Sequence, residues 1–269
     1  MVVAALLQRS LSRVAAIVAG LSVLVIGIQV LIVLLARSQE EAQSYSLLAN
    51  MAPRFFQRQF GDALSAFLSF SGIATFAYYD PVILLMVAMV AVFAATELTG
   101  DIEAGHVDLL LARAVPRHTI VTRSLVAMML PPLAIAVIMV VAGTIALQLL
   151  APEGAQWPTA RMVADLAGHL VALAWCFGAV GLAVAAFMRR RLTALGVVAV
   201  SAVSLYLLEF LGNAWEPAGR LAVLSPFHYF HGASVVAGQA NSLRDYAVFG
   251  SITVIATAIA YWRYSTRDV

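Results

Sequence analysis

The chain has 269 residues, of which 62% are hydrophobic and 11% are charged, and its mean hydropathy is +0.93. Soluble domains carry about a quarter charged residues, so this composition is typical of an integral membrane protein. The length fits one membrane domain, residues 1–269, with little room for a folded soluble domain. The net charge of +2 is too small to indicate nucleic-acid binding.

All sixteen basic residues are arginine, and the sequence contains no lysine. A P-loop needs a lysine on the nucleotide phosphates, so we do not expect this chain to hydrolyse ATP through such a site. Lysine Schiff-base chemistry is excluded for the same reason. Cys176 is the only cysteine, which excludes an intrachain disulfide and a cysteine-paired metal site. We therefore expect no catalytic site, metal or cofactor in this chain.

Six apolar stretches have the length that a membrane-spanning helix needs, roughly 17–25 residues. The first follows Arg9 and Arg13, which are typical of an interfacial helix. It is longer than the apolar part of a cleavable signal peptide, so we expect it to be retained. The predicted spans cover residues 14–36, 81–97, 123–150, 162–188, 192–212 and 246–262.

Two further apolar stretches are not counted as spans. Residues 63–79 are separated from the second span by Asp80 and Pro81, and a seventh span would place the cluster Arg189–Arg191 outside the cell. Residues 221–238 are interrupted by proline and histidine and are too short to cross. We therefore expect outer re-entrant or interfacial helices between the fifth and sixth spans.

The arginines predict the orientation of the spans. With both chain ends in the cytoplasm, most of the sixteen arginines lie inside, as the positive-inside rule requires. The predicted fold class is therefore an all-α polytopic membrane protein with six transmembrane helices and cytoplasmic N- and C-termini. The cluster Arg189–Arg191 is also expected to attract anionic membrane lipid.

The segment between the second and third spans, residues 97–117, concentrates charge between two uncharged stretches. A single acid in hydrocarbon costs several kcal/mol, so its four acids predict a short loop beside the membrane. In its second half the apolar residues recur at spacings of three and four, which predicts a short amphipathic helix: Val107, Leu110, Leu111 and Val115. A solvated turn without a partner accounts for the composition equally well.

This segment resembles the loop after the second span in type-2 permease subunits of ATP-binding-cassette (ABC) exporters. The family pattern is an acid, any residue, Glu, any residue, Gly and Thr, then a leucine-rich run, then Pro, any residue, Ser and Arg. The positions that match are Asp101, Glu103, Gly105, Leu109–Leu111 and Arg117. The positions that depart are His106 in place of Thr, Ala114 in place of Pro, and Pro116 in place of Ser.

The resemblance implies a coupling helix between the second and third spans that docks on a separate cytoplasmic P-loop ATPase, which uses the ATP. It also implies export across a prokaryotic inner or plasma membrane, and pairing with a second permease subunit as a homodimer or heterodimer. The residues expected to couple to the ATPase are Glu97, Asp101, Glu103, Gly105, His106, Leu110, Leu111, Val115, Pro116 and Arg117.

Three ionisable residues lie within the predicted spans. Asp165 and His169 share a face near the outer end of the fourth span, and Glu209 lies near the outer end of the fifth. Ionisable groups inside a membrane are functional candidates by default, so these residues are a possible outer gate or pathway. The interpretation we favour is that all three are shallow enough to reach lipid headgroups and water. A membrane enzyme that uses them, and a membrane scaffold without transport activity, are the alternative functions.

Overall fold

The computed structural model describes residues 2–41, 64–103, 117–212, 215–230, 232–238, 240 and 242–266. These residues form helices and connecting turns, and no strand occurs among them. Six of the described helices are long and apolar enough to cross a membrane, so the chain is a multi-pass membrane protein. They are α1 (Val2–Glu41), α2 (Pro81–Glu103), α3 (Arg117–Leu150), α4 (Ala160–Phe187), α5 (Arg191–Gly212) and α6 (Ser242–Thr266).

Each predicted span lies within one of these helices or matches it to within a residue or two. Two of the helices, α1 and α2, extend beyond the predicted spans. No break separates an interfacial segment from the first span, because α1 is continuous from Val2. The second span was expected to end at Glu97, whereas α2 continues to Glu103. Thr96 keeps helical dihedral angles at this point, and its carbonyl accepts a hydrogen bond from the Gly100 N–H at 3.3 Å.

The rejected seventh span is confirmed to be absent from the described residues. Residues 64–78 form two short helices, Leu64–Phe67 and Phe70–Ala74, followed by one 3₁₀ turn, Phe76–Tyr78. Asp80 then caps α2, because its Oδ1 accepts the N–H groups of Val82 and Ile83 at 2.9 and 3.1 Å. Pro81, which has no N–H to satisfy, suits the first turn of that helix.

Helices α2 and α4 form the centre of the bundle. In the most apolar stretch of each, 72% of the residues are buried, compared with 17% in α5 and 22% in α6. Glycines allow the two central helices to approach closely. A Cβ atom at Gly178 of α4 would lie 3.0 Å from Ala91 Cβ, and one at Gly181 would lie 3.0 Å from Val92 Cγ1. The peripheral helices pack around this pair, with α6 on α4 and α1 on α3.

The six helices alternate in direction, so the bundle has two distinct ends. At the end that we call the charged end, α2 finishes at Glu103 and α3 begins at Arg117. Both the start of α1 and the finish of α6 lie there, since Arg13 pairs with Asp101 and the Arg263 guanidinium lies 5.4 Å from the Phe187 ring. The start of α1 and the end of α6 therefore lie at the same end of the bundle.

At the opposite end, which we call the far end, the predicted helices between α5 and α6 are present as three short segments. These are Glu216–Ala222, the 3₁₀ turn Pro226–Tyr229, and Gly232–Val236. The Ser225 hydroxyl donates to the Leu205 carbonyl at 3.0 Å, and the Phe227 ring packs between Phe177 and Tyr206. The connection is thus packed onto α4 and α5.

The alternating directions predict which positions share a side of the membrane. We expect an impermeant maleimide to label Arg190→Cys and Thr266→Cys from one side and Glu153→Cys from the other, in a Cys176→Ala background. The three positions are exposed, whereas Cys176 is buried. Labelling of Glu153→Cys and Arg190→Cys from the same side would contradict the crossing of α4.

Candidate functional site

Six charged side chains from four helices gather at the charged end. We call this group the charged cluster, and its members are Arg13 of α1, Glu97, Asp101 and Glu103 of α2, Arg123 of α3, and Arg191 of α5. It contains three acids and three arginines, so its formal charges balance. The acids all come from the last two turns of α2, and the arginines come from the helices around it.

Asp101 is the carboxylate that joins three helices. Its Oδ1 accepts a hydrogen bond from Arg13 Nη1 at 2.9 Å, and its Oδ2 accepts one from Arg123 Nη2 at 2.9 Å. The Asp101 side chain is 8% exposed and that of Arg123 is 3% exposed, whereas that of Arg13 is 35% exposed. Hydrogen bonds between ionised groups are stronger than neutral ones, and here they replace the water that burial removes.

Glu97 lies one helical turn before Asp101 on the same face of α2. It is 1% exposed. Its two carboxylate oxygens have no hydrogen-bond partner among the described residues, and the nearby charges of Arg191 and Arg13 attract it while that of Asp101 repels it. A buried carboxylate needs such positive charges nearby, because an isolated ion in a low-dielectric interior costs far more than one in water. Glu97 therefore faces the interior of the bundle.

Arg191 joins the beginning of α5 to α2. Its backbone N–H donates to Glu103 Oε2 at 3.0 Å, which places a negative charge at the helix N-terminus, where it is favourable. Its guanidinium donates through Nη2 to the Phe93 carbonyl at 2.9 Å and lies 4.1 Å from the centre of the Phe93 ring. A further bond, from the Thr99 hydroxyl to the Ala185 carbonyl at 3.1 Å, joins α2 to α4. The end of α2 is thus tied to α1, α3, α4 and α5.

The structure corrects the expected placement of two predicted coupling residues. Glu97 and Asp101 were expected in a loop beside the membrane, but both are buried in the bundle and contact other helices of this chain. Glu103 is exposed, as expected. Arg117 begins α3. The remaining predicted coupling residues lie outside the described residues: Gly105, His106, Leu110, Leu111, Val115 and Pro116.

Sequence reasoning missed the three arginines as members of a site. Arg13 and Arg191 were assigned to the membrane interface, and with Arg123 they were used to orient the spans. A usable signal was present in α2, since Glu97 and Asp101 are spaced by four and continue a helix whose other residues are almost all apolar. Two acids on one face of such a helix indicate basic partners on its neighbours.

The polar residues predicted near the outer ends lie at the far end of the bundle. His169 is 1% exposed, so the favoured interpretation that it reaches water is wrong for this residue. Its Nε2 lies 3.4 Å from Oδ2 of Asp245, which the sequence analysis placed just outside the sixth span. Asp165 is partly exposed and lines a cavity of about 320 Å³ with Arg161 and Ser242.

Glu209 has a different partner from the other two. Its Oε2 lies 3.0 Å from His228 Nδ1, and the two side chains are partly exposed. Neither contact requires a ligand from outside the chain. No group of three or more His, Cys, Asp or Glu side chains suited to a metal ion occurs among the described residues. The role of Asp165, His169 and Glu209 in a gate or pathway stays a prediction.

An apolar groove of about 740 Å³ runs between α1 and α5, and α2 forms its floor. The residues that line it include Ile17 and Leu24 of α1, Leu195 of α5, and Met86 and Phe93 of α2. Phe93 also contacts Arg191, so one end of the groove adjoins the charged cluster.

Removal of the Asp101 charge should destabilise the protein, because Arg123 would be left buried without its partner. We expect Asp101→Asn to lose about 3 kcal/mol of stability, measured as a lower melting temperature in detergent. The double variant Asp101→Asn/Arg123→Met should recover part of the loss, since it removes the unpaired cation.

The matched control is the exposed pair Glu216–Arg220, whose atoms are 3.4 Å apart and whose side chains are more than 80% exposed. Glu216→Gln should cost less than about 1 kcal/mol. Equal losses for Asp101→Asn and Glu216→Gln would show that the charged cluster does not stabilise the bundle.

Comparison with models of known protein families finds no match for this chain, and comparison with curated proteins also finds none. The features that bear on function are the charged cluster, the helices that hold its residues, and the motif in residues 101–117, which includes two of those residues. Those two are Asp101, which is buried among arginines, and Glu103, which is exposed beside the start of α5.

Proposed function

We propose that this chain is the membrane-spanning permease subunit of an ABC exporter. In this proposal a separate cytoplasmic ATPase hydrolyses ATP, and the chain converts the movement of that subunit into translocation of a substrate. The proposal is supported by the six membrane-length helices and by the resemblance of residues 101–117 to a coupling segment. The observation that carries it is the attachment of that segment to the bundle.

Residues 104–116 connect Glu103, the last residue of α2, to Arg117, the first residue of α3. The first of these two residues, Glu103, belongs to the charged cluster. Asp101, three residues before the segment, is bonded to α1 and α3, and Glu103 is bonded to the first residue of α5. A displacement of this segment by a partner would therefore reach three helices besides α2 through direct bonds of about 3 Å.

The rigidity of the central helices favours this kind of transmission. α2 is one of the two most buried helices and packs against α4 through close glycine contacts. A packed helix responds to a force as a unit, because interiors shift between discrete packings rather than deforming continuously. The charged cluster would set which packing is stable, since its bonds form only when the four helices are aligned.

In this proposal the groove between α1 and α5 forms part of the path along which the substrate moves. Its walls are apolar, and α5 is the least buried of the six long helices. A second permease subunit placed against these two helices would enclose a path whose end adjoins the charged cluster. Movement of α2, the floor of the groove, would then change the shape of that path.

The membrane-enzyme alternative is less well supported by the geometry. Catalysis needs acid–base groups that are free to exchange protons with a substrate. The Nδ1 atom of His169 lies 2.7 Å from the Asp165 carbonyl oxygen, and Glu209 pairs with His228. His169 is also 1% exposed, which leaves a substrate little access to its ring.

The proposal predicts that the purified chain has no ATPase activity alone and acquires it only with a P-loop partner. We expect Leu111→Asp to reduce recovery of that partner at least tenfold in a detergent pull-down, because a buried unpaired charge costs several kcal/mol. Glu103→Gln should lower the ATPase activity of the complex without releasing the partner, since it weakens the contact between α2 and α5.

The control is Gln156→Asp, which adds the same charge in the exposed turn at the far end. It should leave both recovery and activity unchanged, and all variants should insert into the membrane to the same extent. If Leu111→Asp keeps its partner and full activity, residues 104–116 act only as a turn and the transporter proposal loses its main support.

A further inference from the structure

The apolar groove between α1 and α5 is open on the surface of the bundle, and its length suits one leaflet of a membrane. It begins beside Ile17 of α1 and Phe93 of α2 and ends beside Leu24 and Met86 of the same helices. The rise from Ile17 to Leu24 is about 10 Å, at ~1.5 Å per residue. Half of the hydrocarbon core is about 15 Å thick. The groove therefore fits within the leaflet next to the charged end.

The groove is deep enough to hold a ligand. Its volume of about 740 Å³ lies within the range of roughly 300–1,000 Å³ that is usual for ligand pockets. Gly20 of α1 and Gly196 of α5 both line it, and a Cβ atom at either position would meet no atom of the described residues within 4 Å. Unlike Gly178 and Gly181, these two glycines do not bring helices of this chain together. Their missing side chains widen the groove.

Positive charge lies where the groove meets the charged end. The Arg191 guanidinium is 4.1 Å from the centre of the Phe93 ring, so the beginning of α5 is placed beside this end of the groove. Arg189 and Arg190 directly precede it and are exposed. Neither forms an ion pair with another described residue. Because the acids and arginines of the charged cluster balance, these two arginines add net positive charge at this end.

We propose that the groove binds a membrane phospholipid with an anionic headgroup. Its acyl chain lies between Gly20 and Gly196, and its phosphate lies beside Arg189 and Arg190. The apolar walls match the chain, and each arginine near a membrane surface strengthens the binding of an anionic lipid about fivefold. A zwitterionic lipid would fill the same groove without this gain.

The inference deepens the proposed function, in which the groove is part of the substrate path. It rests on that function only where it names an anionic lipid as the class of molecule that enters the path. Binding of the lipid depends on the groove and the two arginines alone. It is therefore measured without an ATPase, and the result stands whether or not the chain couples to one.

The test is photo-crosslinking of the full-length chain in phosphatidylcholine vesicles. One set of vesicles contains phosphatidylglycerol with a diazirine on its acyl chain, and the other contains phosphatidylcholine with the same group. The anionic probe should label the groove, at residues such as Leu24 and Leu195, about fivefold more than the zwitterionic probe, or more. Equal labelling by the two probes, or labelling only outside the groove, would overturn the proposal.

A substitution that fills the groove tests the position of the acyl chain. Gly196→Trp should lower labelling by the anionic probe by about the same factor, and the chain should still fold because the new side chain enters open space. The matched control is Gly250→Trp of α6, where a Cβ atom would also meet no described atom within 4 Å but which does not line the groove. It should leave labelling unchanged. Undiminished labelling of Gly196→Trp would contradict the assignment.

A second copy of this chain would give a different result. The wild-type groove would then be unlabelled, and Gly196→Trp would dissociate a dimer of the chain in detergent. That result would overturn the proposal, because the groove would be an interface between copies rather than a lipid site.

Removal of the charges tests the position of the headgroup. Arg189→Gln/Arg190→Gln should abolish the preference for the anionic probe and leave labelling by the zwitterionic probe unchanged. The control is Arg161→Gln/Arg220→Gln, which removes two exposed arginines from the far end and should keep the preference. A preference that survives in Arg189→Gln/Arg190→Gln would contradict the role of these two arginines.

Discussion

The bridge from Asp101 to Arg13 and Arg123 is the interaction on which the charged end of the bundle depends. The Asp101 carboxylate accepts one hydrogen bond from Arg13 of α1 and one from Arg123 of α3. Without Asp101, both arginines would lose this compensating charge. Such a bridge is weak evidence for stability in itself, since two buried ions are expensive to desolvate. Its consequence is specificity, because the three helices must be aligned for Asp101 to pair with both arginines. The charged cluster thereby defines the packing from which any conformational change must start.

The two ends of the bundle use charge differently. At the charged end, balanced acids and arginines from four helices converge on the last turns of α2. At the far end, His169 of α4 lies beside Asp245 of α6 among aromatic rings, and His228 pairs with Glu209 of α5. Between these ends the central helices have apolar contacts and glycines that bring their backbones close together. Polar specificity at both ends of an apolar bundle fits a protein that moves between defined states.

The sequence was sufficient to predict the six long helices, because apolar length and breaks such as Asp80–Pro81 depend on local residues. It was insufficient for the partners of the acids in α2. The predicted second span ended at Glu97 because each acid was considered without a partner. The partners of Asp101 are distant in sequence: Arg13 lies 88 residues before it and Arg123 lies 22 residues after it. Burial of His169 was missed for the same reason, because Asp245 lies on another helix. The motif in residues 101–117 was visible in the sequence, whereas the attachment of its first residues to three other helices depends on the fold.

We propose that residues 104–116 receive force from an ATPase and pass it to the charged cluster. The most direct measurement places a photo-crosslinking amino acid at Leu111 in the native membrane and identifies the captured protein by mass spectrometry. We expect capture of a P-loop ATPase, and no capture of that protein by the same probe at Gln156. Crosslinks to lipid alone, or to proteins without a nucleotide-binding site, would contradict it.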